Sequence, residues 1–120
     1  PDDIDRAIKM FITSGVDSLF SGAVLEDFLV WNKEGGRLTC LNANPTNRVR
    51  RQDHDSISYV ENGSIYITTP SGIRKTKNRI NGSVGIFEME LWQSFEIDDI
   101  SQAEFCEVLF NHYLKRKETD

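Results

Sequence analysis

The run from Ser58 to Thr68 constrains the fold of this chain more than any other segment. Its centre reads Tyr59-Val60-Glu61-Asn62-Gly63-Ser64-Ile65-Tyr66-Ile67, and β-branched and aromatic residues of this kind are typical of strands. Pro70-Ser71-Gly72 breaks the pattern, and we expect a short helix after the break. The segment therefore predicts a long strand that ends abruptly.

Helices and strands alternate only at the two ends of the chain. Apolar residues at three- to four-residue spacing predict a first helix, which Gly15 ends. Its apolar face consists of Ile4, Ala7, Ile8, Phe11 and Ile12. Strands are predicted for Ser18–Leu25, Val84–Glu88 and Ser94–Ile97. The capping box Ser101-Gln102-Ala103-Glu104 predicts the start of a final helix.

The middle of the chain is typical of a hairpin followed by a long polar loop. Phe28–Trp31 and Arg37–Leu41 flank Asn32-Lys33-Glu34-Gly35-Gly36, which predicts two strands joined by a glycine turn. Residues 42–56 then form a polar loop, and loops of this length are often functional. The whole pattern predicts an α/β fold with a mixed sheet and an antiparallel hairpin excursion.

Composition excludes several classes of protein. A chain of 120 residues forms one domain or part of one. Its net charge of −5 argues against broad nucleic-acid binding, which needs a basic surface. No apolar run approaches the ~20 residues that span a bilayer, and the polar start at Pro1 argues against a signal peptide. Cys40 and Cys106 favour buried free thiols in a reducing compartment, so we expect a cytoplasmic location.

Two carboxylates near the last predicted strand are the first candidates for chemistry. Glu96 and Asp98 alternate with apolar residues, so both should project to one face at the strand's C-terminal end. Ligands of open α/β sheets collect outside such strand ends, and two hard oxygen donors there suit Mg²⁺ bound to phosphate. The alternative is that Asp98 or Asp99 only favours the start of the final helix.

A basic group in the long loop is the second candidate. Arg48, Arg50 and Arg51 precede Gln52, and a guanidinium can clamp a carboxylate with two parallel hydrogen bonds. The loop is therefore a candidate site for a small anionic ligand, and the alternative is an exposed basic loop. A second basic group is expected to form a solvated face; it contains Arg74, Lys75, Lys77 and Arg79.

Asn62 and Tyr66 are the third candidates. They lie four residues apart in the predicted strand and so should share a face. An amide and a phenol can both hydrogen-bond sugar hydroxyls or an N-acyl group, and Gly63 permits close backbone approach. The alternative is an Asn-Gly turn beside a core tyrosine.

Taken in chain order, these features resemble one enzyme family. Asn47-Arg48-Val49-Arg50-Arg51-Gln52-Asp53, the Asn-Gly strand and Ser94-Phe95-Glu96-Ile97-Asp98-Asp99 resemble segments of the acylneuraminate cytidylyltransferases, which activate sialic-acid-like sugars as CMP derivatives. The resemblance covers nearly the whole chain. It implies transfer of CMP from CTP to an acidic nonulosonic sugar with release of pyrophosphate. It also implies that residues 1–120 are the C-terminal portion of a Rossmann-like cytidylyltransferase domain.

The resemblance also implies roles for single residues. The family carries Asp-Ile-Asp where this chain has Glu96-Ile97-Asp98, and it uses those carboxylates to hold the metal. Glu96 and Asp98 are thus expected to be catalytic residues and Mg²⁺ ligands. The residues that match the family's sugar-binding positions are Arg51, Gln52, Asn62 and Tyr66.

Assembly and completeness follow from the same resemblance. It implies a homodimer in which residues 28–68 form a dimerisation and sugar-binding excursion. The family's Gly-rich loop that grips the triphosphate has no counterpart in these 120 residues, so we expect the chain alone to be inactive. Two alternatives stay open. One is a non-catalytic dimerisation and sugar-binding remnant, and the other is a nucleotidyltransferase for another acidic sugar.

Overall fold

The computed structural model describes residues 2–25, 28–47 and 57–115. In chain order its elements are α1 (Asp3–Ser14), β1 (Ser18–Val24), β2 (Trp31–Glu34), β3 (Arg37–Cys40), β4 (Tyr59–Thr68), α2 (Pro70–Thr76), β5 (Val84–Glu88), a 3₁₀ helix (Leu91–Ser94) and α3 (Ile100–Tyr113). Within the described ranges, no helix is both long and apolar enough to cross a membrane.

A three-stranded mixed sheet forms the centre of the fold. Its order is β4-β1-β5, with β1 antiparallel to β4 and parallel to β5. A separate two-stranded sheet consists of β2 and β3. The predicted α/β fold with a mixed sheet and an antiparallel hairpin is therefore confirmed. Strand β4 falls within the predicted excursion 28–68, yet it pairs with β1 in the central sheet.

Helix α1 covers one face of this sheet and closes a small core. Ala7, Leu19 and Phe87 are buried together there. The partly buried apolar residues around them are Phe11, Val16, Ile65, Ile67 and Met89. Gly15 ends α1 in the left-handed conformation at φ 67°, as its position in the sequence predicted.

A wide bulge in β4 interrupts its pairing with β1. Phe20 pairs with Tyr66 and Gly22 pairs with Glu61, so the single residue Ser21 lies opposite four residues of β4, 62–65. Phe20 and Gly22 share one face of β1, because side chains alternate along a strand. Tyr66 and Glu61 consequently share that same face, although they are five residues apart in sequence.

Ser21 and Asn62 hold the bulge together. The Ser21 hydroxyl donates to Asn62 Oδ1 at 2.6 Å and accepts from the Ile65 N–H at 2.8 Å. The Ser64 N–H also donates to Asn62 Oδ1, at 3.2 Å. Gly63, at φ 71°, supplies the left-handed turn that lets the backbone loop out. The bulge therefore has its own hydrogen-bond network in place of ladder bonds.

The hairpin differs from its predicted bounds. Strand β2 begins at Trp31, so Phe28–Val30 precede it, and the strands extend inward until Glu34 pairs with Arg37. The loop between them is only Gly35 and Gly36, at φ 54° and 83°. Positive φ at both central residues matches a type I′ turn, whose twist suits two short antiparallel strands.

The predicted strand Ser94–Ile97 is wrong. Residues 91–94 form the 3₁₀ helix, and Phe95–Ile97 are in neither a helix nor a strand. A reciprocal capping box explains the difference, because the Glu90 N–H donates to Gln93 Oε1 at 2.9 Å and the Glu90 side chain accepts in return. This local bonding competes with strand pairing just before the two candidate carboxylates.

Asp17 joins the start of β1 to the loop that precedes β5. Its Oδ2 accepts from the Ser83 N–H at 2.7 Å and from the Ser83 hydroxyl at 2.8 Å. These bonds, the backbone one first, hold the pKa of Asp17 below its usual value of 3.8. Because the pKa is depressed by folding, this contribution is present above pH 3.8 and is lost as the pH falls through the lowered pKa.

We predict that Asp17→Ala is less stable than wild type at pH 6 and loses less stability between pH 6 and pH 3. Urea unfolding at both pH values measures this difference. Glu107→Ala, an exposed change in α3, is the matched control and should keep the wild-type acid sensitivity. Equal acid sensitivity in Asp17→Ala and wild type would contradict the role of the Ser83 bonds.

Candidate functional site

An open cavity of about 580 Å³ lies where the β4 bulge meets the segment before α3. It is lined by Glu61, Ser94, Phe95, Glu96, Asp98, Ser101, Gln102 and Phe105. Three of these are carboxylates, and two of them are the predicted metal ligands Glu96 and Asp98. The structure thus brings these two residues to one cavity without the strand that the sequence predicted between them.

Glu96 lies directly against the bulge. A Cβ added to Gly63 would come within 2.6 Å of Glu96 Oε1, so glycine lets this carboxylate keep its present position. Gly63 therefore has two functions, because it turns the backbone at positive φ and also lets Glu96 approach. The predicted close approach at Gly63 is seen here with a side chain of the same chain.

The neighbouring aspartates divide two tasks between them. Asp99 is the N-cap of α3, and its Oδ1 accepts from the Gln102 N–H at 2.8 Å and from the Ser101 hydroxyl at 2.7 Å. Gln102 Oε1 accepts in return from the N–H of Asp99, at 3.2 Å, and also from the N–H of Asp98, at 2.6 Å. The capping box is therefore Asp99 with Gln102, and the prediction that Ser101 caps the helix is wrong.

The bonds that Asp99 accepts also affect its pKa. The Gln102 N–H, followed by the Ser101 hydroxyl, lowers the pKa of Asp99 from its usual value of 3.8. Asp99 alone accounts for the start of α3, and Asp98 lines the cavity. The helix-cap alternative therefore applies to Asp99, and the ligand role of Asp98 stays a prediction.

The donor set fits Mg²⁺ only as a partner of phosphate. Among the described residues, no group of three or more His, Cys, Asp or Glu side chains could hold a metal ion. Mg²⁺ is commonly held by one or two carboxylates together with substrate phosphates and waters, and Glu96 and Asp98 supply such a pair at the cavity. The cavity therefore suits a metal that arrives with a phosphorylated ligand.

Asn62 and Tyr66 do not share a face, in contrast to the prediction. Three extra residues in the bulge, an odd number, turn Asn62 towards Ser21 on the opposite face of the sheet from Tyr66. Asn62 is 3% exposed, and its Nδ2 lies 3.3 Å from the Met89 sulfur. Its amide is thus engaged inside the protein, where it organises the bulge that carries Glu61 and Gly63.

Tyr66 belongs to a polar cluster on the other face. Its hydroxyl donates to Glu61 Oε1, and Arg79 Nη2 donates to the same hydroxyl at 3.2 Å. The Arg79 guanidinium carbon lies 3.8 Å from the centroid of the Tyr66 ring. The hydrogen bond to Glu61, and then desolvation, raises the pKa of Tyr66 above its usual value of 10.0, against the smaller lowering effect of Arg79.

Arg79 is the residue that sequence reasoning missed. The basic group around it was expected to form a solvated face, and nothing in the spacing of that group connects it with Tyr66, 13 residues earlier. The structure places its side chain on the Tyr66 ring, with Nη2 3.8 Å from Glu61 Oε1. Arg51 and Gln52, which were predicted to bind the sugar, lie outside the described residues.

Comparison with known proteins supports the resemblance that the motifs predicted. No protein-family model matches the chain. The chain is 35% identical over 102 residues to an N-acylneuraminate cytidylyltransferase from Oncorhynchus mykiss. The alignment covers 82% of this chain and 23% of that relative, so the chain spans about a quarter of the relative's length. The predicted resemblance to the acylneuraminate cytidylyltransferases is thereby confirmed for this segment.

Proposed function

We propose that this chain supplies the carboxylate pair and sugar-binding residues of a cytidylyltransferase that transfers CMP from CTP to a sialic-acid-like nonulosonic acid. Pyrophosphate is the second product. The observation that carries the proposal is the pair Glu96 and Asp98 at one open cavity, in a chain 35% identical to a cytidylyltransferase segment. The parallel pair β1 and β5, with α1 on one face, supports a Rossmann-like sheet in the complete enzyme.

In this reaction the anomeric hydroxyl of the sugar attacks the α-phosphorus of CTP. Glu96 and Asp98 would hold Mg²⁺ at the cavity, and when bound the ion neutralises negative charge on the phosphate oxygens. Gly63 leaves the space that the Glu96 carboxylate occupies, and the Asp99 cap keeps α3 in place beside Asp98. The protein then contributes mainly orientation and electrostatics, which are large parts of most enzymatic rate gains.

Of the residues predicted to bind the sugar, we expect some to contact it directly and one to act indirectly. Arg51 and Gln52 would bind the sugar carboxylate, since a guanidinium matches a carboxylate with two parallel bonds. Tyr66 would contact a polar group of the sugar from the face that it shares with Glu61. Asn62 would act indirectly by fixing the bulge, because its amide is buried and hydrogen-bonded.

A CMP-transfer assay tests the proposal. The complete gene product that contains this chain should release pyrophosphate and form a CMP-sugar from CTP, Mg²⁺ and N-acetylneuraminate. Because the chain spans 23% of its relative, the 120 residues alone should show no transfer under the same conditions. A complete gene product that binds the sugar without turnover would instead identify a sugar-binding module.

The hairpin supports a proposal about assembly. Its register places Trp31, Leu38 and Cys40 on one face together with Lys33, and Thr39 on the other. Trp31 and Leu38 are 46% and 60% exposed, and the flanking Phe28 and Leu41 are exposed as well. Apolar patches of this kind usually mark contact surfaces. We propose that residues 28–41 cross to a second copy and form a two-fold homodimer.

We predict that the chain elutes as a dimer at micromolar concentration and that Leu38→Lys shifts it to monomer. A lysine there is desolvated without an opposite charge, because its cross-strand partner is Lys33, whereas Thr39→Lys on the other face is the matched control and should leave the dimer intact. Size-exclusion chromatography with light scattering measures the mass. A monomeric wild type, or dimers in both variants, would contradict this interface.

A further inference from the structure

The Tyr66 hydroxyl has a fixed hydrogen-bond polarity. It carries one proton and two acceptor lone pairs. Glu61, as a carboxylate, can only accept, so the bond between them commits the Tyr66 proton to Glu61. Arg79 can only donate, so its Nη2 at 3.2 Å occupies one lone pair of the same oxygen. The capacity left on the hydroxyl is one acceptor lone pair.

Glu61 and Arg79 also fix the position of the ring. The pairing of β4 with β1 puts Glu61 and Tyr66 on one face, and the Arg79 guanidinium lies over the ring at 3.8 Å. The ring is thus held by its hydroxyl and by one of its faces before any ligand arrives. Such preorganisation reduces the ordering cost of binding.

The cluster borders the site of the proposed reaction. Glu61 lines the cavity with Glu96 and Asp98, and its side chain is 46% exposed. The Arg79 side chain is 61% exposed. A sugar held at the cavity would therefore meet Glu61 and Tyr66 as two neighbouring acceptors, of which the Glu61 carboxylate is negatively charged.

We propose that Glu61 and Arg79 are positioning residues that restrict Tyr66 to accepting a hydrogen bond, so that this part of the site selects a donor group of the acidic sugar. The inference rests on the proposed function. The donor is a sugar hydroxyl or an N-acyl N–H, because both present a hydrogen to an acceptor. An ether, a carbonyl or a fluorine at the same place finds no donor on Tyr66.

Sugar analogues test the polarity directly. Calorimetric titration of the complete gene product would compare N-acetylneuraminate with analogues in which one hydroxyl at a time is replaced by fluorine, and with one in which the N–H is methylated. In wild type, one analogue should bind about 3- to 10-fold more weakly than the parent sugar, the range for one hydrogen bond. The position of that analogue distinguishes a hydroxyl from the N–H.

Three variants separate positioning from simple contact. Tyr66→Phe should lose the discrimination against that analogue. Glu61→Gln should reduce it, because the glutamine amide can donate to the Tyr66 oxygen and free the hydroxyl proton to donate. Arg79→Ala should weaken binding of the parent sugar, and Arg79→Lys should restore only part, since lysine lacks the flat guanidinium. Arg74→Ala, an exposed change on α2, is the matched control and should bind like wild type.

Failure of the inference and failure of the proposed function give different results. If wild type binds the sugar and either Tyr66→Phe or Glu61→Gln discriminates against the analogue as strongly as wild type does, the inference is overturned and the proposed function stands. Absence of binding of any acidic sugar to the wild-type gene product would overturn the proposed function. The expected result is that Tyr66→Phe binds the parent sugar and the analogue equally well, and that Glu61→Gln shows a smaller difference between them than wild type.

Discussion

Asp98→Asn is expected to lower CMP transfer by the complete gene product by about 100-fold or more. The reason is electrostatic: the change removes a negative charge from the cavity where we propose that the metal and phosphates bind, and loss of one key electrostatic contact commonly costs 10²–10³ in rate. Asparagine keeps nearly the same shape, so the loss should appear in kcat and in the Mg²⁺ concentration needed for activity. Initial rates at varied Mg²⁺ concentration measure both.

The adjacent aspartate offers a matched control for this change. Asp99 caps α3 through its Oδ1, and asparagine serves as an N-cap about as well as aspartate. Asp99→Asn should therefore keep near wild-type activity, although it removes the same charge one residue away. Glu96→Asp should also be tolerated, since aspartate is the family's residue at that place. If Asp98→Asn has the same Mg²⁺ dependence as wild type, Asp98 is not a metal ligand.

Asn62→Ala is expected to lower the free energy of unfolding by roughly 2 kcal/mol, within the range of about 1–3 kcal/mol for leaving a buried polar group without its partner. The change removes Asn62 Oδ1, which is the nearer acceptor of the Ser21 hydroxyl and also accepts from the Ser64 N–H. Chemical denaturation by urea measures the loss.

Asn32 provides the comparison for this stability change. It is exposed on β2, so Asn32→Ala should alter the free energy of unfolding by about 0.5 kcal/mol or less. If Asn62 instead acts only by touching the sugar, Asn62→Ala would weaken sugar binding at unchanged stability. That outcome would contradict the bulge as the residue's role.

Local patterns predicted the elements that depend on local chemistry. The periodic apolar residues and Gly15 predicted α1, and the strand predicted at Val84–Glu88 matches β5 with the same bounds. The breaker at Pro70 correctly marked the end of β4, and Thr69 caps the short helix that follows. In each case the residues that decide the structure lie within one element or directly beside it.

The sequence could not predict features set by distant partners. The face to which Asn62 points depends on Ser21, 41 residues earlier. Ser21 of β1 lies opposite a bulge of four residues in β4. Period-two reasoning fails at such a bulge, because an odd number of extra residues reverses the alternation. Arg79 is another example, since only the folded chain brings it onto Tyr66.

The candidate carboxylates were found for a reason only partly related to the final structure. Alternation in a predicted strand put Glu96 and Asp98 on one side, whereas the observed segment is unpaired and follows a capped 3₁₀ helix. The two carboxylates nevertheless line the same cavity.

Paramagnetic broadening by Mn²⁺, added together with CTP and used in place of Mg²⁺, tests the central claim that Glu96 and Asp98 form a metal site at this cavity. In amide NMR spectra of the chain, the signals of Ser101 and Gln102 beside the cavity should broaden first, while those of Asn32 and Thr39 in the hairpin stay sharp. Asp98→Asn should remove this selectivity, and Asp99→Asn should retain it. Broadening that spares Ser101 and Gln102, or that is the same in Asp98→Asn as in wild type, would contradict the account.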